Sequence, residues 1–458
     1  MKIYKLFLTA TIILSISCKN NEKDNVDLAV NDENEKIERL EGEALLDTVQ
    51  SQTLKYFWDY AEPNSGMARE RYHPDGEYPQ NDKHIVTTGG SGFGLMALIA
   101  GIDRNFIPRE EGVKRLEKIA DFLAKADRYH GVWSHWINGE TGKTQPFGKK
   151  DNGGDLVETS FLAQGFIVVR EYLKNGNEEE KALAAKYDEL WKGIDWKWYT
   201  NNKEVLYWHW SPDYNWEINF PLEGYNETLI TYIMAAASPT HSISAEAYHK
   251  GWARNGNIKS SNTKYDLPLI LKHNGAEEFG GPLFWAHYSY LGLNPKGLSD
   301  QYANYWDLNV NHSKIDYLYC VKNPKDFEGY GKNVWGLTAS YTKNNDGSIG
   351  YTAHSPTNDT GVISPTAAIS SIPYTPEESL RAMSYFYNDL HDLTWGPAGF
   401  YDAFSLEDED WVAAKYLAID QGPMVVMIEN YRSGLIWDLF MGAEEVKQGL
   451  DKLGFSIQ

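Results

Sequence analysis

Residues 156–169 read LVETSFLAQGFIVV, a stretch that is apolar on nearly every side of a helix. Residues 228–237 and 424–440 share this character. A helix that is hydrophobic all round has to lie inside a structure, with other elements around it. These three stretches therefore predict the inner helices of one large domain in which helices dominate.

Other segments predict outer helices with a single apolar face. Val113, Leu116 and Leu123 recur at helical spacing, and residues 183–194 repeat the pattern behind an acidic start at 178–180. Buried and one-sided helices alternate along the chain, which predicts helical hairpins in concentric layers, about six of them with roughly 65–70 residues each. Extended stretches are short, so we expect an all-α fold with at most a small hairpin of strands, formed in loops. Two long loops, 199–225 and 343–375, are long enough to carry function.

Composition excludes several classes of protein. The chain has 458 residues, 42% of them hydrophobic, which is enough to build a core. It carries 43 Lys and Arg against 64 Asp and Glu, a formal net charge of −21. Nucleic acids and anionic lipid surfaces need clustered basic residues, so we expect neither as a partner. The 16 Trp are more than a core needs, and several of them stand beside polar residues.

The first residues predict a secreted lipoprotein. Lys2 and Lys5 precede an apolar run at 6–16, which is too short for a permanent membrane helix, and Ser17 and Cys18 follow it. We interpret 1–17 as a lipoprotein signal peptide, Cys18 as the lipidated residue, 18–41 as a polar tether and 42–458 as the folded domain. The expected location is the cell envelope, at the periplasmic face or the cell surface, with membrane attachment through the lipid alone. An ordinary signal peptide with an incidental cysteine is the alternative.

Two familiar motif types can be set aside. The glycine-rich run 89–94 has no strand before it and no Lys-Ser/Thr after it, so it is not a phosphate-binding loop. It predicts a helix start where small residues allow close packing. The twelve histidines form no H-E-x-x-H pair or cluster, so we expect no metal and no cofactor. Nothing indicates an obligate oligomer, and a monomer is expected.

The first candidate site is the pair Asp155 and Glu158 at the start of the opening stretch. Residues three apart share a helix face, so the two carboxylates should lie near each other. In one interpretation they are catalytic carboxyls whose pKa values are raised by mutual repulsion. In the other they form a capping box, with Asp155 as the N-cap and Glu158 as the returning acid.

The second candidate is Glu227, which also begins an apolar inner helix. It is either a favourable acid in the first helical turn or a functional carboxyl, because an inner helix has few solvated faces. Two loops dense in Trp and polar residues, 133–136 and 207–217, precede these acids. Flat aromatic faces suit the apolar faces of sugar rings, although such loops can also pack onto their own aromatics. Asp402 and Asp420, near the C-terminus, complete the candidate acids, and Asp420 can also be explained as a helix cap.

If the inner helices form a ring, these acids gather at one mouth. Paired carboxylates in an aromatic cleft suit glycoside hydrolysis, in which one acid protonates the leaving oxygen and another activates water or attacks carbon.

At these residues the sequence resembles the bacterial glycoamylase-like family and, within it, the β-1,2-glucan hydrolases of glycoside hydrolase family 144. The resemblance covers nearly the whole domain and is carried by residues 87–96, 155–160, 207–216, 224–230, 238–241, 281–284, 330–340, 364–367, 399–404 and 420–437. It implies an (α/α)6 barrel and hydrolysis of β-1,2-glucan with inversion, by endo action or by exo release of sophorose.

The resemblance also implies roles for individual residues. Asp155, Glu158 and Glu227 match the family's essential acids, with Glu227 expected as the general acid. The base is expected among Asp155, Glu158, Asp402 and Asp420. An inverting pair is about 6.5–9.5 Å apart, and Asp155 and Glu158 are expected to be too close to each other to form it, which makes one of them a helper.

The remaining expected roles are contacts to an oligo- or polysaccharide substrate. They fall on the following side chains: Trp133, His135, Trp208, Trp210, Tyr225, Asp402 and Asp420. Two other functions stay open at this point, a hydrolase of the same fold acting on another glucan, such as a β-glucosidase or a glucoamylase-like enzyme, and a surface glycan-binding lipoprotein without turnover.

Overall fold

The computed structural model describes residues 39–344, 346–407 and 410–458. The predicted signal peptide, Cys18 and all but the last three residues of the predicted tether lie outside these ranges. Residues 39–458 form a single compact unit. Its first residues are already attached to it, because Arg39 forms an ion pair with Asp389 at 3.0 Å and the amide of Leu40 donates to Asn388 Oδ1 at 2.9 Å.

Helices dominate the described part of the chain, as the hydrophobic pattern predicts. In chain order they are α1 (Gly42–Trp58), α2 (Thr88–Asp103), α3 (Arg109–Leu123), α4 (Leu156–Leu173), α5 (Glu178–Lys192), α6 (Leu229–Ala237), α7 (Tyr305–Lys322), α8 (Pro365–Ile369), α9 (Pro376–Asn388), α10 (His391–Thr394), α11 (Ala418–Arg432), α12 (Leu435–Gly442) and α13 (Glu444–Lys452). None of these helices is long and apolar enough to cross a membrane.

Strands are more numerous than the sequence predicts, although each is short. They are β1 (Arg71–Tyr72), β2 (Ile85–Thr87), β3 (Arg128–Tyr129), β4 (Val132–Trp133), β5 (Trp136–Asn138), β6 (Thr144–Gln145), β7 (Gly154–Asp155), β8 (His209–Trp210), β9 (Thr263–Lys264), β10 (Leu267–Pro268), β11 (Leu298–Ser299), β12 (Ala339–Lys343), β13 (Ile349–Ala353), β14 (Trp395–Gly396), β15 (Gly399–Phe400), β16 (Ala403–Ser405), β17 (Trp411–Ala413), β18 (Tyr416–Leu417) and β19 (Ser456–Ile457). They pair two or three at a time and tie the loops together. Two-residue pairings leave no alternating pattern in the sequence, so periodicity cannot reveal them.

The inner ring consists of helices that are buried on nearly all sides. It contains α2, α4, α6, α8 and α11, together with two buried 3₁₀ turns, Leu283–Ala286 and Tyr288–Tyr290, that supply the sixth inner segment. Helix α4 packs between α2 and α6, and α11 packs against both α8 and α2. The turn 288–290 packs against α6, and His287 beside it bonds Ser371 just after α8, which closes the ring. Each inner segment is followed by an outer one, such as α3 after α2 and α5 after α4. The fold is therefore the α/α barrel that the resemblance implies.

The glycine-rich start of α2 lets two inner helices approach closely. A Cβ atom on Gly92 would lie 2.2 Å from the carbonyl oxygen of Phe161 in α4, and one on Gly89 would lie 2.6 Å from Oε2 of Glu158. Real Cβ contacts are not this short, so only glycine fits at these positions. The glycine-rich run allows close helix packing, as expected from the sequence. It also places the amide of Gly89 beside the carboxylate of Glu158.

Candidate active site

The N-terminal ends of the inner helices surround a cavity of about 360 Å³. It is lined by Glu70, Arg71, His135, Trp136, Phe147, Glu158, Phe161, Trp208, Glu227, Phe284, Tyr288, Ala339, Tyr341, Tyr351, Leu417 and Ile419. Four predicted site residues are among them: Glu158, Glu227, His135 and Trp208. Two carboxylates predicted from separate inner helices thus meet at one aromatic cavity.

Asp155 is the N-cap of α4 and is fully buried. Its Oδ1 accepts from the amide of Glu158 at 2.9 Å, and its Oδ2 accepts from His135 Nδ1 at 2.9 Å, with His209 Nε2 at 3.6 Å. Burial alone would raise the pKa of Asp155, but the bonds to His135 and His209 outweigh it and hold that pKa well below its usual range. Asp155 is a fixed negative charge between two histidines, and it lies behind the cavity wall.

Both histidines are in the doubly protonated, positively charged form at neutral pH. Burial lowers the pKa of each ring, but the acids around them prevail. Glu158 and Asp155 raise the pKa of His135 to about 10, and Asp151 and Asp155 raise that of His209 to about 9. His135 therefore brings a positive charge to the cavity.

Only half of the predicted capping box forms, namely the bond from the amide of Glu158 to Asp155. Instead of bonding back to Asp155, Oε2 of Glu158 accepts from the amide of Gly89 at 2.7 Å and from Thr87 Oγ1 at 3.4 Å. Burial raises the pKa of Glu158 to about 7, with Asp155 adding to the rise and the charge of His135 opposing it. The carboxyl therefore changes protonation state near neutral pH, unlike an ordinary surface glutamate.

Glu227 lies just before α6, the next inner helix. Its backbone carbonyl accepts from Ser289 Oγ, which ties it to the 3₁₀ turn 288–290. Burial raises the pKa of Glu227 to about 7, and the charges of Glu158 and Asp155 contribute to the rise. Because the charge of Glu158 raises the pKa of Glu227, ionisation of Glu158 favours the protonated form of Glu227.

The predicted aromatic contacts divide into two groups. Trp208 lines the cavity, whereas Trp133, Trp210 and Tyr225 do not. Trp133 is fully buried and donates its indole N–H to Leu123 O at 3.2 Å, so a direct sugar contact is excluded in this arrangement and that assignment is corrected. Tyr225 is likewise fully buried, with its hydroxyl donating to Trp285 O at 3.2 Å.

Trp210 stabilises its loop and does not line the cavity. It pairs with Gly154 across β7 and β8, and its ring packs against His130 and Trp198. A tryptophan beside polar residues in a short loop does not indicate which of its neighbours turns inward, so the sequence could not separate Trp208 from Trp210.

Asp402 and Asp420 form a buried pair of carboxyls beside the cavity. Asp402 Oδ2 accepts from the amide of Tyr341 at 2.7 Å, which fixes the strand that carries Tyr341. Burial raises the pKa of Asp402 to about 6, and burial together with Asp402 raises that of Asp420 well above its usual range. The pair therefore shares a proton. Neither residue lines the cavity, so direct contact of either with a sugar is not part of this arrangement.

Four side chains of the cavity lining carry a buried polar group without a partner. Trp136 and Trp208 have indole nitrogens, and Tyr288 and Tyr341 have hydroxyls, for which the described residues provide no hydrogen-bond partner. Buried donors without an acceptor are costly, and here four of them belong to side chains around one cavity. A ligand rich in hydroxyl groups would supply acceptors. Trp208 is a predicted contact and Trp136 lies in the predicted cluster 133–136, whereas Tyr288 and Tyr341 have no signal in the sequence.

One group of described residues has metal-ligand geometry. One ligand atom each of His135, Asp151 and Asp155 lies within 4.8 Å of the others. The proton of His135 is already donated to Asp155, and an ion there would have to displace it. These ligand atoms are therefore already engaged in a histidine–carboxylate network, and the proposed mechanism involves no metal.

The fold and the site together define an α/α-barrel protein whose inner helices present carboxyls to an aromatic cavity. A family model described as "Putative glucoamylase" matches residues 219–444. The solved endo-β-1,2-glucanase from Chitinophaga pinensis, in complex with sophorotriose and glucose, is 61% identical, with a TM-score of 0.88 over 91% of this chain and 99% of that one. A solved "putative glucoamylase" from Bacteroides caccae is 56% identical, with a TM-score of 0.88 over 91% and 100%.

A curated relative from Parabacteroides distasonis is the exo β-1,2-glucooligosaccharide sophorohydrolase (non-reducing end). It is 45% identical over 90% of this chain, and the chain spans 58% of that relative's length. The chain belongs to the glycoamylase-like family, in the group of glycoside hydrolase family 144.

Proposed function

We propose that this protein hydrolyses β-1,2-glucan with inversion at the anomeric carbon. The observation that carries the proposal is the meeting of Glu158 and Glu227, each with a pKa of about 7, in one aromatic cavity. Relatives named as acting on β-1,2-linked glucans support the choice of substrate. The unpartnered indole and hydroxyl donors of the cavity suit a polyhydroxyl chain.

Glu227 is the general acid in this proposal. Its raised pKa keeps a proton available near neutral pH for the leaving glycosidic oxygen. Glu158 is the base that takes a proton from the attacking water, because it shares the cavity and its ionised form is stabilised by His135 and by the amide of Gly89. Inversion needs both groups at once, one protonated and one ionised, and the charge of Glu158 favours that state because it raises the pKa of Glu227.

Asp155 is a positioning residue in this mechanism. It fixes the start of α4 through the amide of Glu158 and orients His135 toward the cavity. This matches the expectation that one member of the Asp155 and Glu158 pair is a helper. The Asp402 and Asp420 pair is a structural support for β12 through Tyr341.

The cellular setting is part of the proposal. A leader with Cys18 after Ser17 supports attachment by lipid to the cell envelope. Cys18→Ser should move the protein to the soluble fraction, and an unchanged membrane fraction would contradict the anchor.

Incubation with linear β-1,2-glucan, laminarin and starch tests the function. We expect new reducing ends from β-1,2-glucan alone, with the α-anomer as the first product by proton NMR. Release from starch or laminarin instead would indicate another glucan. Binding without release from any of the three would indicate a glycan-binding protein.

A further inference from the structure

Two exposed aromatic rings stand at the cavity, and the proposed mechanism uses neither. Phe147 is 51% exposed and Tyr351 is 53% exposed, and both line the cavity. The other large hydrophobic side chains found exposed in the described ranges, such as Trp198, Phe220 and Tyr431, do not line it. Exposing an aromatic ring forfeits its burial energy, so two of them at one opening need an explanation.

Phe147 is held in place from one side. The centroid of its ring lies 4.1 Å from the ring centroid of His135, at an interplanar angle of 30°. It lies 4.7 Å from the ring centroid of Trp136, in an edge-on arrangement. Its amide donates to the carbonyl of Asp151 at 3.0 Å, which closes the loop that carries it. The ring is therefore fixed beside the cavity with part of its surface free.

Tyr351 comes from a different part of the chain. It lies on β13, the outer strand of a hairpin that is held by pairing with β12, where Tyr351 stands directly opposite Tyr341. The side chain of Tyr351 lines the same cavity as Tyr341 and Ile419 while about half of its surface stays exposed.

We propose that Phe147 and Tyr351 form an aromatic clamp that binds a glucosyl unit of the chain outside the reacting bond. The inference rests on the proposed function, because it takes a glucan as the occupant. Pyranose rings present flat C–H faces that stack on aromatic rings. The cavity of about 360 Å³ holds only a short part of a glucan, so a longer chain has to leave it past exposed lining residues. The clamp would give chain-length preference.

The test compares Phe147→Ala and Tyr351→Ala with Tyr431→Ala, an exposed aromatic that does not line the cavity. KM and kcat are measured on long linear β-1,2-glucan and on the shortest oligosaccharide that wild type cleaves. We expect each clamp variant to raise KM about three- to tenfold for the long glucan and less than twofold for the short one, with the product-length distribution shifted. Tyr431→Ala should match wild type on both.

A third clamp variant separates the ring from the hydroxyl. Tyr351→Phe keeps the stacking face and should retain most of the affinity for the long glucan, whereas Tyr351→Ala should not. Equal KM changes for long and short substrates, or unchanged KM for both clamp variants in protein that melts as wild type does, would overturn the clamp. Wild-type protein that releases nothing from β-1,2-glucan would overturn the proposed function instead.

Discussion

The amide nitrogen of Gly89 lies 2.7 Å from Oε2 of Glu158, so the first turn of α2 holds a carboxyl that belongs to the first turn of α4. The same glycine has no room for a side chain, since a Cβ would lie 2.6 Å from that oxygen and 2.9 Å from the ring of Phe161. Close packing between two inner helices therefore coincides with the position of one proposed catalytic group.

Gly89→Ala should cost activity more than stability. The added methyl displaces the Glu158 carboxyl or the Phe161 ring, and a misplaced catalytic group costs on the order of 10²-fold in rate. Overpacking costs about 1–3 kcal/mol of unfolding free energy. The measurements are kcat on β-1,2-glucan and chemical denaturation. Gly442→Ala is the control, because nothing lies within 4 Å of its Cβ position. Full activity in Gly89→Ala would contradict the role of this contact.

The pH profile should be a narrow bell centred near 7. The proposed base, Glu158, has to be ionised and the proposed acid, Glu227, has to be protonated, and the pKa of each is about 7. The two limbs report pair values rather than single residues, because the carboxyls repel each other. A profile of kcat/KM between pH 4 and 10 measures both limbs.

His135→Gln should move the acid limb of that profile upward. The positive ring of His135 lowers the pKa of Glu158. Without it Glu158 stays protonated to higher pH, so the activity appears later as the pH rises. His209→Gln is the matched comparison, because it removes a partner of Asp155 that does not line the cavity. An acid limb that stays in place in His135→Gln would show that this charge does not control the base.

The sequence could predict the barrel and the central acids because these follow from helical periodicity. Glu158 and Glu227 each begin an apolar inner helix, where a carboxyl is conspicuous. Phe147 and Tyr351 could not be predicted, since one lies in an irregular loop and the other in a hairpin joined only across strands. Trp133 shows the opposite failure, because its polar neighbours indicated a surface position that tertiary packing overrides.

Glu227→Gln should remove most activity while stabilising the fold at alkaline pH. General acid catalysis contributes about 10²–10⁴-fold, and an amide cannot supply the proton. The folded pKa of Glu227 lies above that of a free glutamate because burial penalises its charge. That penalty is absent below about pH 4.5, grows as pH rises to about 7 and then stays constant. The variant should therefore unfold at a higher temperature than wild type at pH 8 and at a similar one at pH 4.5. Retained activity would refute the acid assignment.

His287 and His312 should make the wild-type fold sensitive to acid, through a linkage opposite in sign to that of Glu227. Burial lowers the pKa of His287 to about 3 and that of His312 to about 4. The unfolded chain takes up these protons first, near pH 6.5. The stabilisation is complete above that pH and is lost as pH falls toward 4, by up to about 1.4 kcal/mol per pH unit for each ring.

His287→Gln isolates the contribution of His287 to the pH dependence of the unfolding free energy. Glutamine can still bond Ser371 Oγ, which is the present partner of His287 Nε2 at 3.0 Å. The raised pKa values of Glu158 and Glu227 favour folding as pH falls from 7, so the total pH dependence of wild type mixes both signs. The difference between variant and wild type removes the carboxyl contribution. Between pH 7.5 and 5, the change in unfolding free energy, measured by denaturation, should be less unfavourable in His287→Gln than in wild type. Equal changes would mean that His287 titrates alike in the folded and unfolded chain.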